Sequence, residues 1–320
     1  MAVNTKAIKG RIKSVKNTKK ITKAMEMVAA AKMRRAVDAA VATREYAQIA
    51  KELLDRLAYL DEPNTPITEM RPVKKMLTIM VSSNRGLCGS FNSNLFKTAK
   101  QLLSDTDSVG RHRTIDGADI SPEGDVEIDI LGIGKKSALF AKREGYSLVE
   151  LYDTIGERPS FDEVLAITGP TIEKFNNKEY DKVVVVYTNY VNSLTQVAKV
   201  RQLLPVSAVD IEKMIEELGT DEADGAEEDQ KESPIQTYFL EPTLDDIIEY
   251  VLPRLVETQL FQAVLESAAS EHSARMMAMK NASENAGELI KELTLTFNKA
   301  RQAAITQEIA EIAGGAAALE

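Results

Sequence analysis

Three stretches of this 320-residue chain have residue types that could do chemistry. The run NRGLCGS at 84–90 follows an apolar segment and precedes a helical pattern, a position where the backbone amides of a glycine turn can hold phosphate. It lacks the third glycine of a dinucleotide fingerprint and the Lys-Ser/Thr of a P-loop. Gly132, Gly134, Lys135 and Ser137 imitate the end of a P-loop, but Asp129 stands where its first glycine belongs. Cys88 as a nucleophile needs a general base, and the two histidines of the chain, His112 and His272, fall on a polar insertion and on a long helix. A small residue filling a loop is the simpler reading of Cys88. With one cysteine there is no disulfide framework and no CxxC site, and a reducing cytoplasm fits. The acid pair Asp245 and Asp246 begins a helix, where the macrodipole accounts for it. No catalytic constellation, cofactor site or metal site is expected.

The elements that carry these stretches alternate. A buried strand is expected over 74–82, then the turn 83–90 and a helix through Leu95, Phe96 and Leu102. A second strand follows at 126–131, a helix at 135–143, a strand at 147–152, a helix at 161–176 and a central strand at 183–187. Strands alternating with helices predict a mostly parallel sheet, an α/β domain spanning 63–240. Two polar segments read as insertions. One is 105–125, with Gly110, Gly117 and Gly124. The other is 210–232, where eleven acids stand against two lysines, a net −9. That second segment buries little apolar surface and reads as a solvated loop. It holds no cysteine, so no thiol switch is expected there.

Both ends of the chain are longer than a compact domain needs. No proline or glycine occurs from Arg11 to Glu62, and almost none from Arg254 to Ala313, so two long helices are predicted, over 1–62 and 241–320. The second has a capping signal at Thr243 and Asp246 and is expected to stop at Gly314 and Gly315, with a bend or short break at Pro253. Its apolar positions include Leu252, Leu255, Val256, Leu260, Val264, Met279, Leu289, Leu293, Phe297, Ile305, Ile309 and Ile312. In the first helix the matching seam is Ile8, Ile12, Val15, Ala29, Met33, Ala36 and Ala40, continuing at Ala47, Ala50, Leu54 and Leu57. It is interrupted by Lys19, Thr22 and Glu26, while Ile21, Met25 and Val28 open a neighbouring stripe, so the seam is expected to wander. The two stripes predict a long antiparallel coiled coil with the C-terminal helix projecting past its mate.

Charge is unevenly placed. Up to Arg35 there are eleven basic residues against the single acid Glu26, although the whole chain carries −9. Such a segment is a solvated face or meets nucleic acid, anionic lipid or an acidic protein. Nucleic acid is disfavoured, because no aromatics interleave with the cations and the remainder of the chain is acidic. An acidic protein surface is the better partner. No run reaches the eighteen apolar residues of a membrane span, and the basic start runs into the helical pattern as mature sequence.

Three motifs carry a family resemblance. They are IKGRIKSVKNTKKITKAMEMVAAAKMRRA at 8–36, RGLCGSFNSN at 85–94 and SARMMAMKNASENAGELIKELTLTFNKARQAAITQEIAEI at 273–312. In sequence and order they resemble the γ subunit of bacterial-type F-type ATP synthases. The family usually has Asp where this chain has Asn84 and often Tyr where it has Phe297. The resemblance implies a Rossmann-like α/β domain below a coiled coil, acting as the central rotor shaft. The shaft couples ion-driven rotation of the membrane c-ring to ATP synthesis or hydrolysis on β subunits, without bond chemistry of its own. The implied partners are the α and β subunits, ε and the c-ring. Membrane association is implied only through the complex, at the cytoplasmic face of the cell membrane. Residue by residue, Arg301, Gln302 and Thr306 match positions that contact a loop of β. Met25 lies where the coil passes an acidic lever of β, and Glu241 matches the foot on the c-ring. Two other classes remain open beside it. A coiled-coil scaffold or nucleic-acid-organising protein leaves the α/β domain idle, and salt-sensitive DNA binding would mark it. A small α/β enzyme lacks catalytic residues, and turnover by the lone chain would mark it.

Overall fold

The computed structural model describes residues 5–58, 65–105, 110–113, 119–122, 124–155, 159–206 and 244–317. Thr243, Glu241 and the acidic run 210–232 lie outside the described residues, as do 106–109, 114–118 and 123 of the 105–125 insertion. In chain order the elements are helix α1 (Thr5–Ala58), strand β1 (Lys75–Val81), α2 (Phe91–Ser104), the two-residue strands β2 (His112–Arg113) and β3 (Asp119–Ile120), β4 (Glu127–Ile133), α3 (Lys135–Glu144), β5 (Ser147–Tyr152), α4 (Phe161–Asn176), β6 (Lys182–Tyr190), β7 (Gln196–Leu204) and α5 (Leu244–Ala317).

Five strands form one sheet in the order β5-β4-β1-β6-β7. β5, β4, β1 and β6 run parallel, and β7 closes the far edge antiparallel to β6. This is the mostly parallel α/β sheet expected. β7 was not expected as a strand, because Gln196, Lys199, Arg201 and Gln202 break the apolar run. An antiparallel edge with one half-covered face tolerates such polar residues. In the insertion, β2 and β3 pair as a small antiparallel ladder.

Two covered faces explain the near-continuous apolar strands. Leu77, Ile79 and Val81 of β1, with Val183, Val185 and Tyr187 of β6, point into a core completed by α4 and by Leu252, Leu255, Val256, Leu260 and Val264 of α5. Met76 and Met80, with Val184 and Val186, point the other way onto Leu95, Ala99 and Leu103 of α2 and Phe140 of α3. Period-two alternation thus divides the strands between two cores. The base of α5 is an integral layer of the sheet domain. Its buried residues also explain why Pro253 lies inside a continuous helix and not at the short break expected. A proline in a helix costs about 3 kcal/mol. Full burial of each neighbouring leucine or valine contributes about 1.5–3 kcal/mol, so packing wins.

Charge seals the opposite end of the sheet. Asp181 accepts hydrogen bonds from the amides of Lys74 and Lys75 and from Arg71 Nε at 2.7 Å. Arg71 also donates to the carbonyls of Phe175 and Tyr180 and lies over the Phe175 ring. Burial pushes the Asp181 carboxyl up, but these donors outweigh it and hold it below its ordinary value. Beside it, buried Asp129 accepts from Tyr180 Oη at 2.9 Å and pairs with Lys75 at 3.1 Å. Burial and that carboxylate push the Tyr180 hydroxyl up to about 12.

Above the sheet, α1 and α5 form the antiparallel coil. Thr22 faces Ser283, with their hydroxyl oxygens 2.7 Å apart, and a Cβ on Gly287 would lie 2.9 Å from Lys19 Nζ. Helices of equal rise then bring Ala29 to the level of Met276, Val15 to Ile290, Ile12 to Leu293, Ile8 to Phe297 and Thr5 to Ala300. As far as Ala40 the seam does not wander as expected, while the side chains of Ala47, Ala50, Leu54 and Leu57 lie outside the described residues. Thr22, Ala29, Ala36 and Ala40 are buried in one line, whereas Ile21 and Val28 are 60% and 54% exposed. A hydroxyl with a partner across the seam occupies the position that an apolar residue would have marked in sequence. The C-terminal helix also passes Gly314 and Gly315, where it was expected to stop, and runs to Ala317. Each glycine costs about 1 kcal/mol in a helix, which is no absolute stop for a long cooperative element.

Two outcomes follow from this architecture. Asp181→Asn should lower stability at pH 7 by about 1–3 kcal/mol, since the strand amides and Arg71 lose their carboxylate. Because the folded carboxyl is depressed, its contribution is present above the unfolded value near 4 and lost as pH falls through the lower folded value. Urea midpoints of wild type and variant should therefore converge on acidification, and an undiminished gap at the acid end would contradict the assignment. Gly134→Ala should be more severe. Gly134 has φ +87° and its Cβ would overlap the Ser82 carbonyl oxygen, so loss of soluble chain or a fall above about 4 kcal/mol is expected in the same assay.

Candidate functional site

In this topology ligands bind outside the carboxyl ends of the strands, where the connections from adjacent strands diverge. That point lies between β1 and β6, and a helix of the chain itself fills it. Ser267 of α5 donates to the carbonyl of Val81 at the end of β1, at 3.4 Å. One turn on, Ser270 donates to the carbonyl of Thr188 in β6, at 3.1 Å, and Ser273 to that of Ser193 beyond it, at 2.7 Å. Three serines at successive steps of three bind α5 across the crevice. Side chains at i and i+3 share a face, so one helix can reach both strands.

The amides a phosphate would use at the start of α3 are also taken. Lys135 N–H donates to Asn84 Oδ1, Lys136 N–H to the Ser83 carbonyl and Ser137 N–H to Ser82 Oγ. Asn84 further donates through Nδ2 to the carbonyls of Asp153 and Ile155. It ties the ends of β1, β4 and β5 together, and an Asp in its place could not donate those two bonds. Cys88 is buried, accepts from Asn92 Nδ2 at 3.2 Å and fills the loop. The loop is gripped from α5 by Arg275, whose Nη2 reaches the carbonyls of Arg85 and Gly86 and whose ion pair with Glu271 is 2.6 Å.

A crevice of about 430 Å³ lies between Lys32 of α1, the turns after β1, β4 and β5, and Glu271 and His272 of α5. Both of its acids are paired, Asp153 with Lys135 at 3.6 Å and Glu271 with Arg275. Among the described residues no group of three His, Cys, Asp or Glu could hold a metal ion. No nucleophile, base and oxyanion donor converge there.

The candidate functional surface is the far end of α5. Past Ala300 no residue of α1 lies alongside α5, and Arg301 to Gly314 are all exposed, including Ile305, Ile309 and Ile312 at 48%, 62% and 74%. Arg301, Gln302 and Thr306 stand on this bare segment, with Thr306 Oγ1 bonded back to the Gln302 carbonyl at 2.9 Å. Met25 is half-buried on α1, at the level of residue 280 of α5, about 32 Å below Arg301 along the axis. The structure thus separates these positions into two levels of one rod. Ten of the eleven basic residues between Lys6 and Arg35 are exposed, Lys32 being half-buried, and the lone acid Glu26 is paired with Lys23 at 2.9 Å. Glu241 lies outside the described residues. Sequence reasoning missed Ser267, Ser270, Ser273, Ser283 and Arg275. The signal was present as small polar residues inside the apolar stripe of α5, a pattern that marks a helix buried against backbone.

Among the described residues no helix is long and apolar enough to cross a membrane. The sequence model described as ATP synthase matches residues 4–319. The chain is 41% identical to the ATP synthase gamma chain of Herpetosiphon aurantiacus over 325 residues, covering 99% of both. It is 38% identical to that of Chloroflexus aurantiacus over 320 residues, again covering 99% of both, and 38% identical to that of Pelotomaculum thermopropionicum, covering 98% of both. Among solved structures, a chain of the Euglena gracilis mitochondrial ATP synthase assembly of OSCP, F1 and c-ring superposes with a TM-score of 0.61 at 22% identity, covering 98% of this chain and 94% of that one. A chain from the central stalk and c-ring of the Tetrahymena thermophila enzyme gives 0.53 at 24% identity, covering 82% and 99%. These two share the fold. With a sheet crevice closed by its own helix, a coil that ends in a bare tip, and relatives matched along their whole length, the chain belongs to the ATP synthase gamma chain family.

Proposed function

We propose that this chain is the central rotor shaft of an F-type ATP synthase. It couples ion-driven rotation of the c-ring to ATP synthesis or hydrolysis on β subunits and performs no bond chemistry itself. The observation that carries the reading is the bare tip. A helix of 74 residues, about 111 Å long, continues about 25 Å past its mate with apolar and polar side chains open on every face. Fourteen successive exposed residues at the end of a rod are explained by a surrounding sleeve of other subunits.

On this reading the chain has three parts, 1–62 and 241–320 as the shaft and 63–240 as the foot domain. Arg301, Gln302 and Thr306 meet a loop of β, Met25 passes the acidic lever of β, and Glu241 meets the c-ring beside ε. The exposed cations of α1 complement an acidic protein surface. The chain associates peripherally with the cytoplasmic face of the bacterial membrane through its complex. Copurification with α, β and ε in an ATPase that detaches from membranes tests the assignment, and a chain found alone or on DNA would overturn it.

The tip generates its own test. Alanine at Arg301, Gln302 and Thr306 cannot weaken the helix through propensity, since alanine is the best helix former. Each lost hydrogen bond to a partner is worth about 1–3 kcal/mol. The triple variant should assemble normally while ATP hydrolysis and synthesis fall together by about ten- to a hundred-fold. Unchanged rates in both directions would remove these residues from the path of force.

A further inference from the structure

The two helices of the coil are not held alike. α5 is fixed to the sheet by its apolar base and by Ser267, Ser270 and Ser273. α1 lies on α5 through a seam of alanines, Ala29, Ala36 and Ala40, with the half-buried Ile8, Ile12 and Val15 towards the tip. Alanines at steps of seven and four are near-equivalent when one helix slides along another, so this seam resists axial shear poorly. Between Ile8 and Ala40 the buried polar residue of α1 is Thr22, which faces Ser283. Thr22 and Ser283 are 8% and 5% exposed and their oxygens are 2.7 Å apart across 261 residues of sequence.

The hydroxyls also approach carbonyls of their own helices, Thr22 that of Lys19 at 3.1 Å and Ser283 that of Met279 at 2.9 Å. With one hydrogen on each hydroxyl, two of these three hydrogen bonds form at a time: one hydroxyl donates across the seam, and the one that accepts donates to the carbonyl of its own helix. Just towards the tip, the Lys19 ammonium passes over Gly287 where a Cβ would be 2.9 Å from it. A slide of α1 by one heptad would bring Thr22 to the level of Met276 or Ile290, with no hydroxyl opposite.

We propose that Thr22 and Ser283 form the register pin of the shaft. They hold α1 in place along α5 between the foot domain and the bare tip, so that torque reaches both helices in phase. They are positioning residues, and the pair belongs among buried polar contacts that specify register in place of adding stability. The functional half of the proposal rests on the shaft reading.

The test uses the full chain assembled with α, β, ε and the membrane sector. Register is read by disulfide formation between cysteines replacing Val15 and Ile290, which share a level, and separately Val15 and Phe297, which do not, both in a Cys88→Ala background. The apolar double variant T22V/S283A should lower Val15–Ile290 cross-linking and raise Val15–Phe297 cross-linking at least several-fold. Ion pumping per ATP hydrolysed should fall at least two-fold while hydrolysis continues. The hydroxyl-keeping variant T22S should behave as wild type in both assays, which a merely structural loss of packing would not do. Unchanged cross-linking in T22V/S283A would overturn the pin. Slippage with normal pumping per ATP would overturn its role in coupling. The wild-type chain itself failing to restore pumping would instead refute the shaft reading, and so the two failures are distinguishable.

Discussion

The structure depends on the seating of α5 in the mouth of its own sheet. Leu252, Leu255, Val256, Leu260 and Val264 complete the core on one face of β1 and β6. Directly above them, Ser267, Ser270 and Ser273 satisfy carbonyls at the strand ends and the following turn. A parallel sheet leaves such carbonyls free where other proteins of this topology seat a ligand. Here a helix occupies that position, and the same helix continues as the shaft. Loss of a ligand crevice and gain of a rigid lever are therefore one event. The Asn84 bridge and the Arg275 grip extend it, since the turn after β1 is tied both to the neighbouring strands and to the helix.

The coil inherits its geometry from that seating. With α5 fixed, α1 packs along it through Ala29, Ala36 and Ala40, whose small side chains permit close approach of the two backbones. The antiparallel register set by Thr22 and Ser283 brings the start of α1 to the level of Ala300, and exposure changes there from half-buried to open. The tip is uncovered because the first helix has run out. Nothing in the tip sequence forbids pairing, since its isoleucines keep helical spacing. Among the described residues nothing packs on them.

Most of the fold was legible in sequence because two long helices and an α/β alternation give strong periodic signals. Strands β1, β4, β5 and β6 and helices α2, α3 and α4 lie where the apolar runs placed them. What was not legible was decided by tertiary packing. β7 hides behind Arg201 and Gln202 because an edge strand needs no alternation on its open side. Pro253 does not break its helix because neighbouring leucines are buried on the sheet. The seam was misread at Thr22 because pattern reasoning scores a hydroxyl as polar, whereas a hydroxyl facing another hydroxyl can be a seam residue. The shaft positions Met25, Arg301, Gln302 and Thr306 came from resemblance, since exposed residues on a helix carry no periodic mark of function. The serine ladder was visible only as small polar residues in an apolar stripe, and its carbonyl partners are set by a distant part of the chain.

The central claim is that this chain turns as one body inside a stationary sleeve. The most direct measurement places a visible probe at Leu194, which is 73% exposed on the turn between β6 and β7. The chain is assembled with immobilised α and β subunits, and the probe is observed during ATP hydrolysis. The account predicts sustained rotation in one direction that stops when ATP is withdrawn. Hydrolysis at the normal rate with a stationary probe would contradict it.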